Sequence, residues 1–391
     1  MPTRGALNLS TPYDWSFPVP IAYGPGRLAE IGTHCRNAGI KNPLIVTDQG
    51  SKELSFIETT ENHLERVGLK FGLFSEISPN PRKDEITSGK EAYRRGRHDG
   101  VIAIGGGSGM DGGKAICLTA GNEIDLWSFD YDKPAPRVST PFPGLICIPT
   151  TAGTGAETES TAMVTDTEKG MKFCVWHEKL KPSLALLDPE VTLGLPQNLT
   201  AWTGIDALVH AIEAYCVPSF HPLCDGIALE ALALIHAHLP KAVENPGDIT
   251  ARGGMQVGAC LAGVSFLKGL GLVHAISHMV GAEYDTHHGL TNAVTLPAVL
   301  RFNEPNISKK VPEMANALGV KGTFDGFYNQ VCDLLDELSI PKKLSDIGVP
   351  LECTPSIAKK AMHDAAAGTN PRTVAVTEIQ KVVEDALLVG R

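Results

Sequence analysis

The pattern of apolar and polar positions changes near residue 195. Before that point, short continuous apolar runs alternate with segments of helical period, as in α/β proteins with a parallel sheet. The predicted strands are Phe17–Tyr23, Pro43–Thr47, Phe71–Phe74, Val101–Ile104, Leu145–Ile148 and Leu184–Leu187, and the helices between them lie near Arg27–Ala38, Lys52–Val67 and Asp84–His98. We interpret Asp84 as the cap of the last of these helices.

After Pro196 the strand signals stop, and Pro or Gly separates successive helical periods. These lie near 203–216, 222–239, 250–267, 271–282, 291–303, 307–318, 325–338, 355–366 and 377–388. The pattern predicts an α/β domain over residues 1–195 followed by an all-helical domain over 196–391.

Length and composition agree with two soluble domains. A chain of 391 residues exceeds the size at which a single core usually stops growing. A net charge of −10 argues against a nucleic-acid partner. Nine cysteines without a CxxC pair are typical of a reducing cytoplasm. Residues 1–15 are polar without a period, so we expect an irregular arm; no signal peptide or uninterrupted apolar run of membrane length is present, which predicts no membrane association.

A glycine-rich turn, GGGSGMDGGK over residues 105–114, follows the predicted strand Val101–Ile104 and opens a helix. Glycines let the backbone approach a pyrophosphate, and the N–H groups at a helix start attract anions. The G-x-G-x-x-G match that begins at Gly107 is weak alone, because such turns also simply join a strand to a helix. No acidic residue is well placed about 20 positions later. The turn predicts cofactor binding without a standard Rossmann fingerprint.

Two other polar segments stand at the ends of predicted strands, where parallel sheets bind ligands. Asp48 follows Pro43–Thr47, and its carboxylate could accept hydrogen bonds from ribose hydroxyls and repel the 2′-phosphate of NADP. It could also merely close the turn. The segment PTTAGTGAE over 149–157 follows Leu145–Ile148 and could hold phosphate or ribose oxygens, or form an ordinary polar loop.

Five metal-ligating side chains lie on the apolar segments of the second half. Asp206 and His210 share one helix face at i, i+4 spacing, His274 and His278 repeat that spacing, and His288 follows at the start of a glycine-containing loop. A single histidine on an apolar face is ordinarily a core residue. Several with an aspartate favour a metal site, because buried polar groups without partners are costly. Imidazole and carboxylate ligands suit Fe(II) or Zn(II) better than Mg or Ca.

Five motifs together resemble the iron-containing alcohol dehydrogenase family. They are GGGSGMDGGKA at 105–115, PTTAGTGAE at 149–157, GIDALVHAIEAY at 204–215, GLVHAISH at 271–278 and HG at 288–289. The resemblance extends from about Phe17 to Arg372. It implies a modified, Rossmann-like dinucleotide-binding domain followed by a helical metal-binding domain.

The resemblance also implies roles for individual residues. The implied metal ligands are Asp206, His210, His274 and His288. His278 is implied to lie near the substrate rather than to bind the metal; being titratable near neutrality, it could relay the proton of the alcohol, or only orient a ligand. The implied NAD-binding residues are Asp48, Asn80, Gly106, Gly107, Ser108, Asp111, Thr150, Thr151 and Lys172. The implied metal is Fe(II), although Zn or Mn would suit the same ligands.

Some positions depart from the family pattern. His287 stands where proline is frequent, Glu159 and Thr161 replace other polar residues, and Ala366 stands where some members have cysteine. These differences leave the substrate open and do not affect the reaction class.

The implied reaction is hydride transfer between NAD(H) and a short-chain primary alcohol, diol or functionalised aldehyde. We expect a homo-oligomer, a dimer or larger, although the residues do not fix the subunit number. The alternatives are a hydroxyacid–oxoacid transhydrogenase, which releases no net NADH, and a dehydroquinate synthase-like lyase, which regenerates its NAD. A non-catalytic metal- or nucleotide-binding regulator would show no turnover.

Overall fold

The computed structural model describes residues 13–15 and 19–391. The expectation of an irregular arm is wrong for Tyr13–Trp15, which form a strand. The rest of that arm, and the start of the strand predicted from Phe17, lie outside the described residues. The chain forms two compact units. One holds the chain up to Thr151 together with Ala156–Gly194, and the other holds Ala152–Gly155 with Leu195–Arg391.

The first unit is built on a seven-stranded sheet with the order β1-β2-β9-β6-β5-β3-β4. The strands of the unit are β1 (Tyr13–Trp15), β2 (Ile21–Tyr23), β3 (Pro43–Asp48), β4 (Gly72–Ile77), β5 (Gly100–Gly105), β6 (Gly144–Pro149), β7 (Thr161–Asp166), β8 (Met171–Trp176) and β9 (Leu184–Leu187). Only β1 pairs antiparallel within this sheet. The five predicted strands from Pro43 onward and the end of the first one are therefore confirmed.

An antiparallel hairpin, β7–β8, was missed by the apolar-run criterion. Strand β7 buries every second residue and β8 buries a single residue, so neither strand contains a continuous buried apolar run. Gly170 has a φ of 62°, which favours glycine, in the turn that joins the two strands.

The helices of the first unit cover the parallel sheet. They are α1 (Ile31–Asn37), α2 (Ser55–Arg66), α3 (Lys83–Arg95) and α4 (Gly107–Ala120), with a short 3-10 turn before α1. The interpretation of Asp84 as the cap of α3 is wrong. Arg82 is the capping residue, and its N–H donates to Oε2 of Glu85 at 3.0 Å.

The order of the strands creates a ligand-binding position between β3 and β5. From β3 the chain moves to β4 on one side, then returns to β5 on the other side of β3. Open α/β sheets bind ligands at the carboxyl ends of strands where the order reverses in this way. The glycine turn follows β5, and Asp48 ends β3, so both lie at that reversal.

The second unit is helical among its described residues, as predicted. Its helices are α5 (Gln197–Cys216), α6 (Pro222–Glu244), α7 (Ile249–Ser265), α8 (Leu272–Tyr284), α9 (His288–Ile307), α10 (Val311–Ala317), α11 (Phe324–Glu337), α12 (Thr354–Ala361), α13 (Ala365–Gly368) and α14 (Val376–Leu388). The predicted segment 355–366 is divided between α12 and α13. His288 begins α9, so its placement in a loop is corrected.

Helix α5 is the centre of this unit. All of its residues from Thr203 to Cys216 are buried, in one apolar core with α6, α7, α8 and α9. Helix α6, and the bent pair of α7 and α8, have the length and hydropathy of membrane spans. All three contribute buried residues to the same core cluster. The absence of membrane association stays a prediction.

The segment Ala152–Gly155 belongs to the helical unit because it packs closely on two of its helices. A Cβ atom on Gly155 would lie 2.5 Å from Cα of Gly263 in α7, and φ of Gly155 is 65°. A Cβ atom on Gly153 would lie 2.6 Å from the carbonyl oxygen of Thr203 in α5. Larger residues would separate this segment from the helices.

Candidate functional site

Helix α5 presents one face of polar side chains inside the helical core. Asp206, His210 and Glu213 are 2%, 5% and 5% exposed, and their spacing places them along one side of the helix. Buried ionisable groups persist only where partners compensate for lost hydration. The partners come from α8 and α9.

Four donor atoms converge at this face. Oδ1 of Asp206 lies 3.8 Å from Nε2 of His210, 3.7 Å from Nε2 of His274 and 3.6 Å from Nε2 of His288. These distances are too long for hydrogen bonds. They are close to the ~3.4 Å that separates two ligands bound about 2.1 Å from one tetrahedral metal. Asp206, His210 and His274 could hold a metal ion within one buried group, and His288 extends it.

A buried carboxylate holds His274 in place. Nδ1 of His274 donates to Oε2 of Glu213 at 2.7 Å, so Nε2 is the ring nitrogen that faces Asp206. Glu213 also accepts from the N–H groups of Gly271, at 3.0 Å, and Val273, at 2.7 Å. One side chain of α5 therefore caps α8 and orients its histidine, as second-layer carboxylates do at metal sites.

Two features place His288. His287 caps α9 by accepting from the N–H of Leu290 at 3.4 Å, which puts His288 in the first helical position. A Cβ atom on Gly289 would lie 2.3 Å from the carbonyl oxygen of Trp202, so only glycine lets α9 approach α5 this closely. The departure from proline at His287 thus leaves the position of His288 intact.

His278 lies beside the cluster and is bound to an acidic partner. Its ring stacks on His288 with centroids 5.3 Å apart and an interplanar angle of 12°. Nδ1 of His278 pairs with Oδ2 of Asp364 at 2.9 Å, whereas no contact joins it to Asp206 among the described pairs. The side chains of His278 and His288 are 20% and 34% exposed, more than those of His210 and His274. The cluster is open toward solvent on this side.

The charges of the cluster suit metal binding. Burial lowers the pKa of His210 to about 4, because Asp206 only partly opposes the loss of hydration. Burial alone would raise the pKa of Asp206, but His210 and the other two histidines outweigh it and hold that pKa well below its usual range. Neutral His210 beside ionised Asp206 is the form in which these groups bind metal ions. Burial alone would lower the pKa of His274, but the carboxylates of Asp206 and Glu213 outweigh it and raise that pKa to about 9, so a metal ion bound there displaces a proton.

The glycine turn gathers the predicted nucleotide contacts of the first unit. Gly106 precedes α4 and makes no side-chain cap. The first amides of a helix have no partner within the helix and can therefore bind an anion. The N–H of Thr150 donates to the carbonyl oxygen of Gly105 at 2.9 Å, which joins the ends of β5 and β6. Oγ1 of Thr151 is buried without a hydrogen-bond partner among the described residues. Such an atom suits a ligand oxygen.

Asp48 stands against the same turn. Its Oδ2 accepts from Oγ of Ser51 at 2.8 Å. A Cβ atom on Gly105, whose φ is 146°, would lie 3.0 Å from that oxygen, and a Cβ atom on Gly109 would lie 3.3 Å from the N–H nitrogen of Asp48. Glycine is therefore required at both positions so that β3 and the turn can approach.

The remaining predicted contacts lie close by. Ser108 donates to the carbonyl oxygen of Pro79 at 2.6 Å, which ties the start of α4 to the loop that contains Asn80. Nζ of Lys114 forms an ion pair with Oδ1 of Asp111 at 3.4 Å. Burial raises the pKa of Asp111, opposed first by Lys114 and more weakly by Lys172 of β8.

Sequence reasoning missed several residues that support these sites. Glu213 and Asn292 lie one turn from the predicted ligands His210 and His288, a spacing that could have indicated them. Asp364 follows His278 by 86 residues, and no pattern in the sequence connects the two.

The chain matches two family models that cover nearly its whole length. Residues 18–189 match the model described as iron-containing alcohol dehydrogenase, and residues 200–387 match the C-terminal model of the Fe-containing alcohol dehydrogenase family. Fold and ligand cluster agree with a metal-dependent oxidoreductase. The chain belongs to the iron-containing alcohol dehydrogenase family.

Similar proteins specify the class further. The NAD-dependent methanol dehydrogenase of Bacillus methanolicus is 36% identical over 95% of this chain and 98% of its own length. The 1,3-propanediol dehydrogenase of Citrobacter freundii is 33% identical over 96% of this chain and 98% of its own length. A crystal structure of 1,3-propanediol oxidoreductase superposes with a TM-score of 0.89 at 33% identity, covering 93% of this chain and 97% of that one. The protein is an NAD- and metal-dependent alcohol oxidoreductase.

Proposed function

We propose that the protein interconverts short-chain primary alcohols or diols and their aldehydes with NAD(H), using Fe(II) held by Asp206, His210, His274 and His288. The observation that carries this proposal is the convergence of one buried carboxylate oxygen and three imidazole nitrogens at 3.6–3.8 Å. Zn(II) or Mn(II) would suit the same donors. When bound, such a metal supplies a Lewis acid for the oxygen of the substrate.

The residues of the chain supply positioning and proton transfer. Glu213 fixes the ring of His274, and Ser277 holds Nδ1 of His288 at 3.1 Å. His278 is the proposed proton relay, because its pairing with Asp364 fixes the ring while 20% of the side chain stays exposed. Thr150, Thr151 and the first amides of α4 are proposed to bind the phosphates of NAD.

Asp48 is the proposed determinant of NAD over NADP. Its carboxylate at the end of β3 can accept hydrogen bonds from ribose hydroxyls, and its charge opposes a 2′-phosphate. Asn80, Asp111 and Lys172 complete the proposed nucleotide contacts. The nine free cysteines support the proposal of a reducing cytoplasm. The expected homo-oligomer stays a prediction, which sedimentation would test.

A substrate screen tests the function. The Fe(II)-loaded protein is assayed with C2–C4 alcohols and diols plus NAD, and with the matching aldehydes plus NADH, by absorbance of NADH. We expect steady NADH release and saturation by at least one primary alcohol. Oxidation that requires an added oxoacid, with no net NADH, would indicate a transhydrogenase instead. No turnover with any of these substrates would contradict the proposed substrate class.

A further inference from the structure

Asn292 contacts three of the four proposed metal ligands. It lies on α9 one turn after His288 and is fully buried. Its Nδ2 atom is 2.7 Å from Oδ1 of Asp206, 3.2 Å from Nε2 of His274 and 3.1 Å from Nε2 of His288. The amide therefore lies against the side of the cluster that these three donors form.

The orientation of this amide is determined by its partners. An amide nitrogen can only donate, and an ionised carboxylate can only accept. With nitrogen and oxygen exchanged, two acceptor oxygens would stand 2.7 Å apart at Asp206. The nitrogen must therefore face the carboxylate.

Packing alone does not account for an amide at this place. Oδ1 of Asn292 is buried without a hydrogen-bond partner among the described residues, and an unsatisfied buried oxygen costs about 1–3 kcal/mol. An aliphatic side chain of similar size would avoid that cost. The favourable polar contacts of this side chain are those it makes with the metal ligands.

We infer that Asn292 is a positioning residue that sets the metal affinity of the site. Its N–H holds Oδ1 of Asp206 in the position that lies 3.6–3.8 Å from all three imidazole nitrogens. Its side chain covers one side of the cluster. Asp206 is the one anion among the four donors, so its orientation matters most for a divalent cation. This inference rests on the proposed metal-binding function.

The test compares two isosteric changes on one helix. Asn292→Leu removes the amide, and Thr295→Val removes a hydroxyl that is equally buried and has no hydrogen-bond partner within the described part of the chain. The dissociation constant of Zn(II) is measured on each full-length protein by competition with a chromophoric chelator. We expect Asn292→Leu to weaken binding about 10- to 100-fold, the range for lost second-layer contacts. Thr295→Val should stay within about twofold of the parent, less than 0.5 kcal/mol.

A second readout reports the geometry of the ligands. The visible absorption spectrum of the Co(II)-loaded protein should change in Asn292→Leu, because Asp206 loses its fixed orientation, and should be the same in Thr295→Val as in the parent. If circular dichroism shows that Asn292→Leu does not fold, Asn292→Ala is measured by the same criteria.

The outcomes are distinguishable. Unchanged Zn(II) affinity in a folded Asn292 variant, with normal binding by the parent, would overturn this inference alone. Equal losses in the Asn292 and Thr295 variants would assign the effect to packing of α9 and also overturn it. A parent protein that binds no Zn(II) or Co(II) would overturn the proposed function and the inference with it.

Discussion

The predicted metal cluster and the predicted nucleotide-binding glycine turn are built from opposite kinds of groups. The cluster consists of side-chain donors from α5, α8 and α9, and buried Glu213 holds the ring of His274. The turn consists of backbone amides and small residues at strand ends, where Gly105 and Gly109 leave room beside Asp48. The first site should therefore fail when atoms are removed, and the second when atoms are added.

The largest effect should follow from removing an imidazole of the cluster. We predict that His274→Ala loses bound metal and nearly all turnover, because a buried donor 3.7 Å from Asp206 is gone, while NAD still binds. His278→Ala is the matched control, and it should retain metal and lose only rate. Metal content by elemental analysis, turnover and NAD affinity by calorimetry check both. Equal metal loss in the two variants would contradict the assignment of His278.

Adding one methyl group to the glycine turn should weaken NAD binding. A Cβ atom on Gly106 would lie 3.5 Å from Cγ2 of Thr151, an ordinary contact, so we expect Gly106→Ala to fold normally. The methyl group would stand at the start of α4, and we predict at least about tenfold weaker NAD binding, as for loss of one charged hydrogen bond. Calorimetric titration with NAD measures this, with metal content as the control. Unaltered NAD affinity would reduce the glycine turn to a connection between β5 and α4.

Removing the charge of Asp48 should alter cofactor choice. At ~4 Å and an effective dielectric constant near ~20, repulsion between two unit charges is about 4 kcal/mol before screening by water and salt. A third of that energy corresponds to about tenfold discrimination. We predict that Asp48→Gly and Asp48→Asn each raise the NADP/NAD ratio of kcat/KM about tenfold. If the parent prefers NADPH, or neither variant changes the ratio, another residue discriminates.

A buried carboxylate in the first unit provides a test on stability, with no expected effect on metal or NAD binding. Burial raises the pKa of Glu159 from 4.5 to about 7, and its Oε1 has no hydrogen-bond partner among the described residues. The folded state therefore resists ionisation of the Glu159 carboxyl group. The resulting loss of folding free energy is absent below pH 4.5, grows as pH rises and is complete above pH 7. Glu159→Gln should raise the free energy of unfolding by up to about 3 kcal/mol at pH 8.

Urea unfolding of the parent and Glu159→Gln at pH 4.5 and pH 8 checks this pH dependence. The two proteins should differ little at the lower pH. A difference that is the same at both pH values would show that ionisation of Glu159 is not its cause.

Much of the architecture could be predicted from the sequence because it depends on local patterns. Apolar runs predicted the central strands, and helical periods predicted the helices from α5 to α14 except for the break between α12 and α13, since each pattern repeats over neighbouring residues. The hairpin β7–β8 was missed because its residues alternate in burial. The i, i+4 spacing of Asp206 and His210 required only that α5 be a helix.

The tertiary structure decided which side chains meet. The sequence alone does not distinguish His278 from His288 as a metal ligand. Asp285, with a φ of 52°, ends α8, and His287 starts α9 in a new direction. This change of direction brings His288 to Asp206. The partners that fix the cluster are 61 residues apart for Glu213 and His274 and 86 apart for Asp206 and Asn292. The sequence determined which residues could bind a metal. Only long-range packing determined which of them are held together, because a hydrogen bond between distant residues leaves no local periodicity.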